Sequence, residues 1–126
     1  MLDKAKLIAF VPSTDLDRAR SFYQYVLGLA VVETNPYACV LRNGEVMLRV
    51  TKVEVLAPQP FTVLGWQVAD IQQAVDSLAA KGVNFEHFEG MGQDAAGVWS
   101  TPGGDKVAWF KDPDGNTLSL TEFVAG

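Results

Sequence analysis

Val107-Ala-Trp-Phe-Lys-Asp-Pro-Asp-Gly-Asn-Thr-Leu-Ser-Leu-Thr121 is the stretch on which the reading of this chain turns. Two short apolar runs flank Asp112-Pro113-Asp114-Gly115-Asn116. Asp112 can cap a turn with its carboxylate, Pro113 presets φ, and Gly115 supplies a positive φ. The runs on either side are therefore expected to pair as an antiparallel hairpin. Beyond the turn Thr117, Ser119 and Thr121 alternate with Leu118 and Leu120, giving one apolar face and one hydroxyl face. The hydroxyl face reads as the lining of a cavity, with the rest of the chain arranged around it.

Working back from the hairpin, the chain shows the same order of elements twice. Lys6 to Val11 reads as a buried strand. Thr14 or Asp15 then caps a helix whose apolar stripe is Leu16, Ala19, Phe22, Tyr23, Val26 and Leu27, and Gly28 ends it. Strands follow at about Ala30 to Glu33, Tyr37 to Leu41 and Glu45 to Val53, with turns marked by Asn35-Pro36 and Asn43-Gly44. After a Pro-bearing linker at about residues 54–61 the order restarts. Phe61 to Val68 is a strand, Asp70 a cap, and Ile71, Ala74, Val75, Leu78 and Ala79 line a second helix that Gly82 ends. Val83 to Glu86, Gly97 to Thr101, Asp105 to Lys111 and Thr117 to Glu122 are the remaining strands, with a turn at Thr101-Pro-Gly-Gly104. Asp15, Leu16 and Ala19 align with Asp70, Ile71 and Ala74 at one constant offset, an internal duplication of strand, helix and three strands. The expected fold is α+β: two βαβββ repeats, at about residues 5–53 and 62–123 of one domain, forming incomplete barrel-like sheets around a cavity.

Composition sets the outer limits. The chain has 126 residues, 48% hydrophobic and 20% charged, which suits a globular domain with a real core. No apolar run is long enough to span a bilayer, and Met1 to Lys6 lacks the apolar core of a secretory signal. One cysteine, Cys39, excludes an intramolecular disulfide and fits a reducing cytoplasm. A net charge of −5 without a Lys/Arg cluster argues against nucleic acid as a partner and would tolerate a cationic small ligand.

The βαβββ duplication, the Asp15-Leu16…Phe22-Tyr23…Val26-Leu-Gly-Leu29 pattern and the Lys111-Asp-Pro-Asp-Gly-Asn116 hairpin together resemble the vicinal-oxygen-chelate superfamily. That group comprises glyoxalase I, bleomycin-resistance proteins, fosfomycin-resistance enzymes and extradiol dioxygenases. The resemblance runs from about Leu7 to Phe123 and implies the glyoxalase/bleomycin-resistance fold, often closed across a homodimer. It also implies a divalent metal held by His and Glu on four strands. The corresponding positions here are Ile8, Met47 or Arg49, Val63 and Ser119, a set without imidazole or carboxylate donors. No metal and no cofactor is therefore expected.

Side-chain alternation separates two faces. Leu7, Ala9 and Val11, then Val46, Leu48 and Val50, Leu64, Trp66 and Val68, and Leu118 and Leu120 are assigned to the helix side. The cavity side receives Phe10, Met47, Arg49, Gln67, Ser119 and Thr121, apolar walls with a few polar groups. With Tyr37, Trp99 and Trp109 as aromatic contributors, the expected ligand-binding residues are Phe10, Tyr37, Met47, Arg49, Gln67, Trp99, Trp109 and Ser119. Arg49 needs a counter-charge, from a ligand carboxylate or from Glu33 or Glu45. His87, flanked by Glu86 and Glu89, reads as a surface-loop residue, and that loop is long enough to act as a lid. Cys39 reads as a buried, unreactive thiol, and Asp15 and Asp70 as helix caps.

Three functions fit these residues. The first is metal-independent binding of a small molecule, sequestering a drug or an aromatic metabolite as bleomycin-resistance proteins do. The second is a glyoxalase-like lyase, isomerase or transferase with an atypical or metal-free site. The third is a partner-binding module whose cavity is vestigial. None of the three involves a membrane.

Overall fold

The computed structural model describes residues 1–125, and the chain divides into two compact units with the boundary between Pro58 and Gln59.

The first unit runs β1 (Ile8–Ser13), α1 (Leu16–Ser21), β2 (Ala30–Thr34), β3 (Ala38–Asn43) and β4 (Val46–Lys52). Its four-stranded sheet has the order β1-β4-β3-β2, with β1 parallel to β4 and the other pairs antiparallel. The second unit repeats this plan with β5 (Thr62–Gln67), α2 (Ile71–Ala80), β6 (Trp99–Ser100), β7 (Lys106–Lys111) and β8 (Thr117–Glu122). Its order, β5-β8-β7-β6, is the same, and neither sheet closes into a barrel. The duplication inferred from the aligned Asp15 and Asp70 is thus a duplication of topology. Among the described residues no helix is long and apolar enough to cross a membrane.

Both helices begin where the caps place them. The Arg18 N–H donates to Asp15 Oδ1 and the Gln73 N–H to Asp70 Oδ1, each at 3.1 Å. In the second unit Glu122 Oε1 also accepts from the Ile71 N–H at 2.9 Å, satisfying another orphan donor and tying β8 to α2. Each helix covers one sheet face. Val11, Ala19, Tyr23, Leu41, Leu48 and Val50 are buried in the first unit, and Ile71, Val75, Ala108, Phe110, Leu118 and Leu120 in the second. The assigned alternation holds on these strands, with one exception. Leu7 precedes β1 and is largely exposed, so it adds nothing to the helix-side core.

Three further local expectations change. The helix after Asp15 is not α-helical to Leu27: from Phe22 to Val26 it widens into a π-turn, and the Leu27 N–H donates to the Phe22 carbonyl at 3.0 Å. Tyr23 is buried in that turn, with Phe22 set edge-on against it. The hairpin between β3 and β4 turns on Gly44-Glu45, not Asn43-Gly44, because Asn43 pairs with Val46. A turn with positive φ only at its first central residue suits Gly44, whose φ is +61°. Val83 to Glu86 does not form a full strand. Only Phe85 bridges to Phe110, with the Glu86 N–H donating to the Trp109 carbonyl at 2.8 Å. The edge of β7 is divided between this segment and the two-residue β6.

Cys39 is buried, 1% exposed, on the helix face of β3. Burial pushes its thiol above the ordinary value, against the opposing charge of Arg20. The folded state therefore binds this proton more tightly than the unfolded chain. The stabilising contribution is complete below the unfolded thiol's pKa and is lost as pH rises above it towards the folded value. Urea midpoints measured across the alkaline range should fall with pH, and the fall should be shallower in Cys39→Ala. The native thiol should react with a disulfide reagent only slowly, at a rate set by opening of the fold.

Candidate functional site

Each sheet has a face turned away from its helix, and the register places the expected ligand-binding residues on those two faces. In the first unit Phe10 pairs with Arg49, which pairs with Val40, which pairs with Glu33. One step along, Ile8 pairs with Met47 and Met47 with Arg42. Phe10, Met47 and Arg49 are therefore neighbours on one surface. Phe10 is the most exposed of them, and Arg49 is half-buried. Tyr37 is not part of this group. It sits in the turn before β3, 79% exposed, in phase with Cys39 on the opposite face.

Arg49 makes no ion pair and no side-chain hydrogen bond among the described residues. Of its two anticipated partners, Glu33 instead accepts a hydrogen bond from the Asn35 amide at 2.9 Å, and Glu45 lies exposed in the β3–β4 turn. A half-buried guanidinium without a counter-charge is costly to the free protein and leaves its donors available.

In the second unit the polar alternation of β8 falls as expected. Ser119 pairs with Gly65 on one side and Trp109 on the other, and Thr121 pairs with Gln67 and Val107. Trp99, opposite Val107, extends the second row. Gly65 leaves room for the Ser119 hydroxyl: a Cβ built there would lie 2.6 Å from Ser119 Oγ. Ser119 is 8% exposed, and its hydroxyl has no hydrogen-bond partner among the described residues. Trp109 has a tilted neighbour in Trp99, with ring centroids at 6.0 Å, and an edge-on neighbour in Phe88 at 5.6 Å and 80°. Trp66, by contrast, is half-buried on the helix side with Leu64 and Val68.

Phe88 was not anticipated from the sequence. It belongs to the segment between α2 and β6, which its own side chains hold in shape. Gln93 accepts from the Phe88 N–H at 2.6 Å and donates to the carbonyls of Glu86 and Gly97 at 2.9 and 2.7 Å. Asp94 accepts from the N–H groups of Ala96 and Val98 and from the Gln72 amide. Partial burial pushes the Asp94 carboxyl upward, and the hydrogen bonds, led by that of Val98, outweigh it and hold the group below the usual range. The exposed His87 ring places its two nitrogens 3.2 Å from the carbonyl oxygens of Phe85 and Ala95, so the N–H of a neutral imidazole can donate to one or the other according to its tautomer. The segment walls a recess of about 360 Å³ on the open face, lined by Phe61, Thr62, Phe88, Met91, Trp109 and Thr117 among others. The salt bridge from Lys111 Nζ to Glu86, 3.2 Å, stands at its margin.

The metal implied by the resemblance does not fit these residues. Ile8 and Met47 are in register on the first open face; Val63, at the irregularity of β5, and Ser119 are on the second unit's strands. An aliphatic pair, a thioether and a neutral hydroxyl, or Arg49 in place of the thioether, offer no imidazole or carboxylate to a divalent transition ion. Among the described residues no group of three or more His, Cys, Asp or Glu side chains is placed to hold one.

Comparisons with known proteins agree with this architecture. The solved structure of lactoylglutathione lyase from Agrobacterium tumefaciens is similar over 94% of this chain and 93% of its own, with 19% identity and a TM-score of 0.73. A superfamily member from Sphaerobacter thermophilus DSM 20745 is similar over 98% and 100%, with 22% identity and a TM-score of 0.75. A glyoxalase family protein from Enterococcus faecalis matches over 97% and 100%, with 20% identity and a TM-score of 0.77. At such identities the likeness concerns the fold. No curated protein matches the chain significantly. The sequence profile of one superfamily does match, over residues 7–120, and the chain belongs to it: the Glyoxalase/Bleomycin resistance protein/Dioxygenase superfamily.

Proposed function

We propose that this protein binds a small, partly aromatic molecule without a metal, sequestering it rather than transforming it. The observation that carries the reading is the donor set. The positions at which relatives of this fold would hold an ion carry Ile8, Met47 or Arg49, Val63 and Ser119. The same open faces offer apolar walls, a guanidinium and a hydroxyl without a partner among the described residues, and the Trp109 cluster. Apolar walls with a few polar groups are the usual make-up of a small-molecule site. Ligand-observed NMR with an aromatic fragment library, run with excess chelator, tests it. Fragments should bind, and their signals should broaden less with Trp109→Ala. Binding that appears only on adding a divalent metal would contradict the proposal.

A glyoxalase-like lyase or isomerase is the second reading, and superfamily membership is the observation that favours it. It would have to run on the chain's own side chains, and the open faces present no His, Asp or Glu at the family's ligand positions to serve as a base.

We also propose a homodimer in a reducing cytoplasm. Exposed Ile8, Phe10 and Met47 form an apolar patch on the first open face, and such patches mark contact or ligand surfaces. Light scattering at micromolar concentration should return twice the chain mass of 13.7 kDa. A monomer mass would count against the dimer.

A further inference from the structure

We infer that the recess bounded by Phe61, Phe88, Met91 and Trp109 takes a quaternary or methylated ammonium group. The inference rests on the reading that the second unit's open face binds a small molecule, and it names the charged group that face selects.

Four observations carry it. First, Phe88 and Trp109 meet at 80° with centroids 5.6 Å apart, so they form two walls of a corner. A rounded cation can touch both walls, whereas a flat ring can stack on only one. Second, Phe61 contributes another ring to the same recess and Met91 a polarisable thioether. Phe61 and Phe88 remain 59% and 46% exposed, as walls still awaiting a contact would be. Third, the Glu86 carboxylate stands at the margin and already holds an ammonium, Lys111 Nζ, at 3.2 Å. Fourth, the electrostatics favour one sign. Aromatic faces attract cations and repel anions, and a net charge of −5 acts in the same direction. A ligand carboxylate could pair with Lys111 only by displacing or approaching Glu86. A ligand ammonium meets ring faces and Glu86 together, and its opponent is the tethered Lys111.

Calorimetric titration of the full chain with choline, and with the uncharged 3,3-dimethylbutan-1-ol of the same shape, tests the inference. Choline should bind at least about tenfold more tightly than the alcohol. Phe88→Leu keeps an apolar side chain on an exposed loop but removes the ring, and should weaken choline by about five- to tenfold. Glu86→Gln should weaken it, and Lys111→Met should strengthen it. Equal binding of choline and the alcohol would overturn the inference, as would Phe88→Leu binding choline like the parent. If indole binds in a Phe88-dependent manner and choline does not, the ammonium assignment fails while the aromatic-ligand reading stands. If none of the three compounds binds, both fail.

Discussion

Asp112→Ala is expected to lower the stability of the protein by about 2–4 kcal/mol, from the loss of a buried, charge-assisted hydrogen-bond set. Asp112 is 6% exposed. Its Oδ1 accepts from the N–H groups of Asp114 and Asn116 at 3.0 and 2.9 Å, and its Oδ2 from the Asn116 amide at 2.9 Å. Alanine would remove this shared acceptor from all three donors, the Asn116 pair inside the fold, in the turn that sets the β7–β8 register. Urea denaturation should show a lower midpoint at unchanged slope. Asp112→Asn, which keeps one acceptor oxygen, should lie between the two. A midpoint equal to the parent's would mean that Pro113 and Gly115 hold the turn unaided.

Arg49→Ala and Trp109→Ala are each expected to leave the fold intact and to weaken, by roughly ten- to a thousandfold, a ligand held on the open face of their own unit. Arg49 has no partner to orphan among the described residues, so its removal costs the free protein little. A desolvated guanidinium on an anionic ligand group is worth a few kcal/mol, and that is what the variant loses. Trp109 is half-buried between Trp99 and Phe88, and truncation removes the central ring of the cluster. Circular dichroism should match the parent while titration with the best fragment shows the loss. If both variants bind as the parent does, or if Arg49→Ala unfolds, these faces are structural.

Much of the fold was legible because its signals are local. Asp15 and Asp70 cap the helices they precede, and Asp112 to Asn116 makes the turn its residue order implies. Alternation along β4 and β8, and along β5 beyond its irregularity at Val63, sorts helix-side from open-face residues. What failed to show depends on contacts distant in sequence. Val83 to Glu86 has the composition of a strand, but Gln93 and Asp94 draw the following loop onto the edge of β7 and leave only one bridge. The β3–β4 turn moved by one residue because the Asn43–Val46 pairing decides which residue takes the positive φ. Half the site reading, Phe10 beside Arg49 and Trp109 beside Ser119, follows from parity and register. Phe88 and Phe61 do not, since nothing in their own neighbourhoods points to Trp109. Tyr37 offers an aromatic ring, but its phase with Cys39 puts it with the other face.

The central claim is that the two open faces bind without a metal, and metal analysis of untagged protein tests it most directly. After purification without added ions, elemental analysis followed by calorimetric titration with Zn²⁺, Ni²⁺ and Mn²⁺ should find no stoichiometric tight site, since Ile8, Met47, Arg49, Val63 and Ser119 provide no imidazole or carboxylate. One ion per chain, bound tightly and lost when Ser119 or Met47 is replaced by alanine, would contradict the account and restore the enzyme reading.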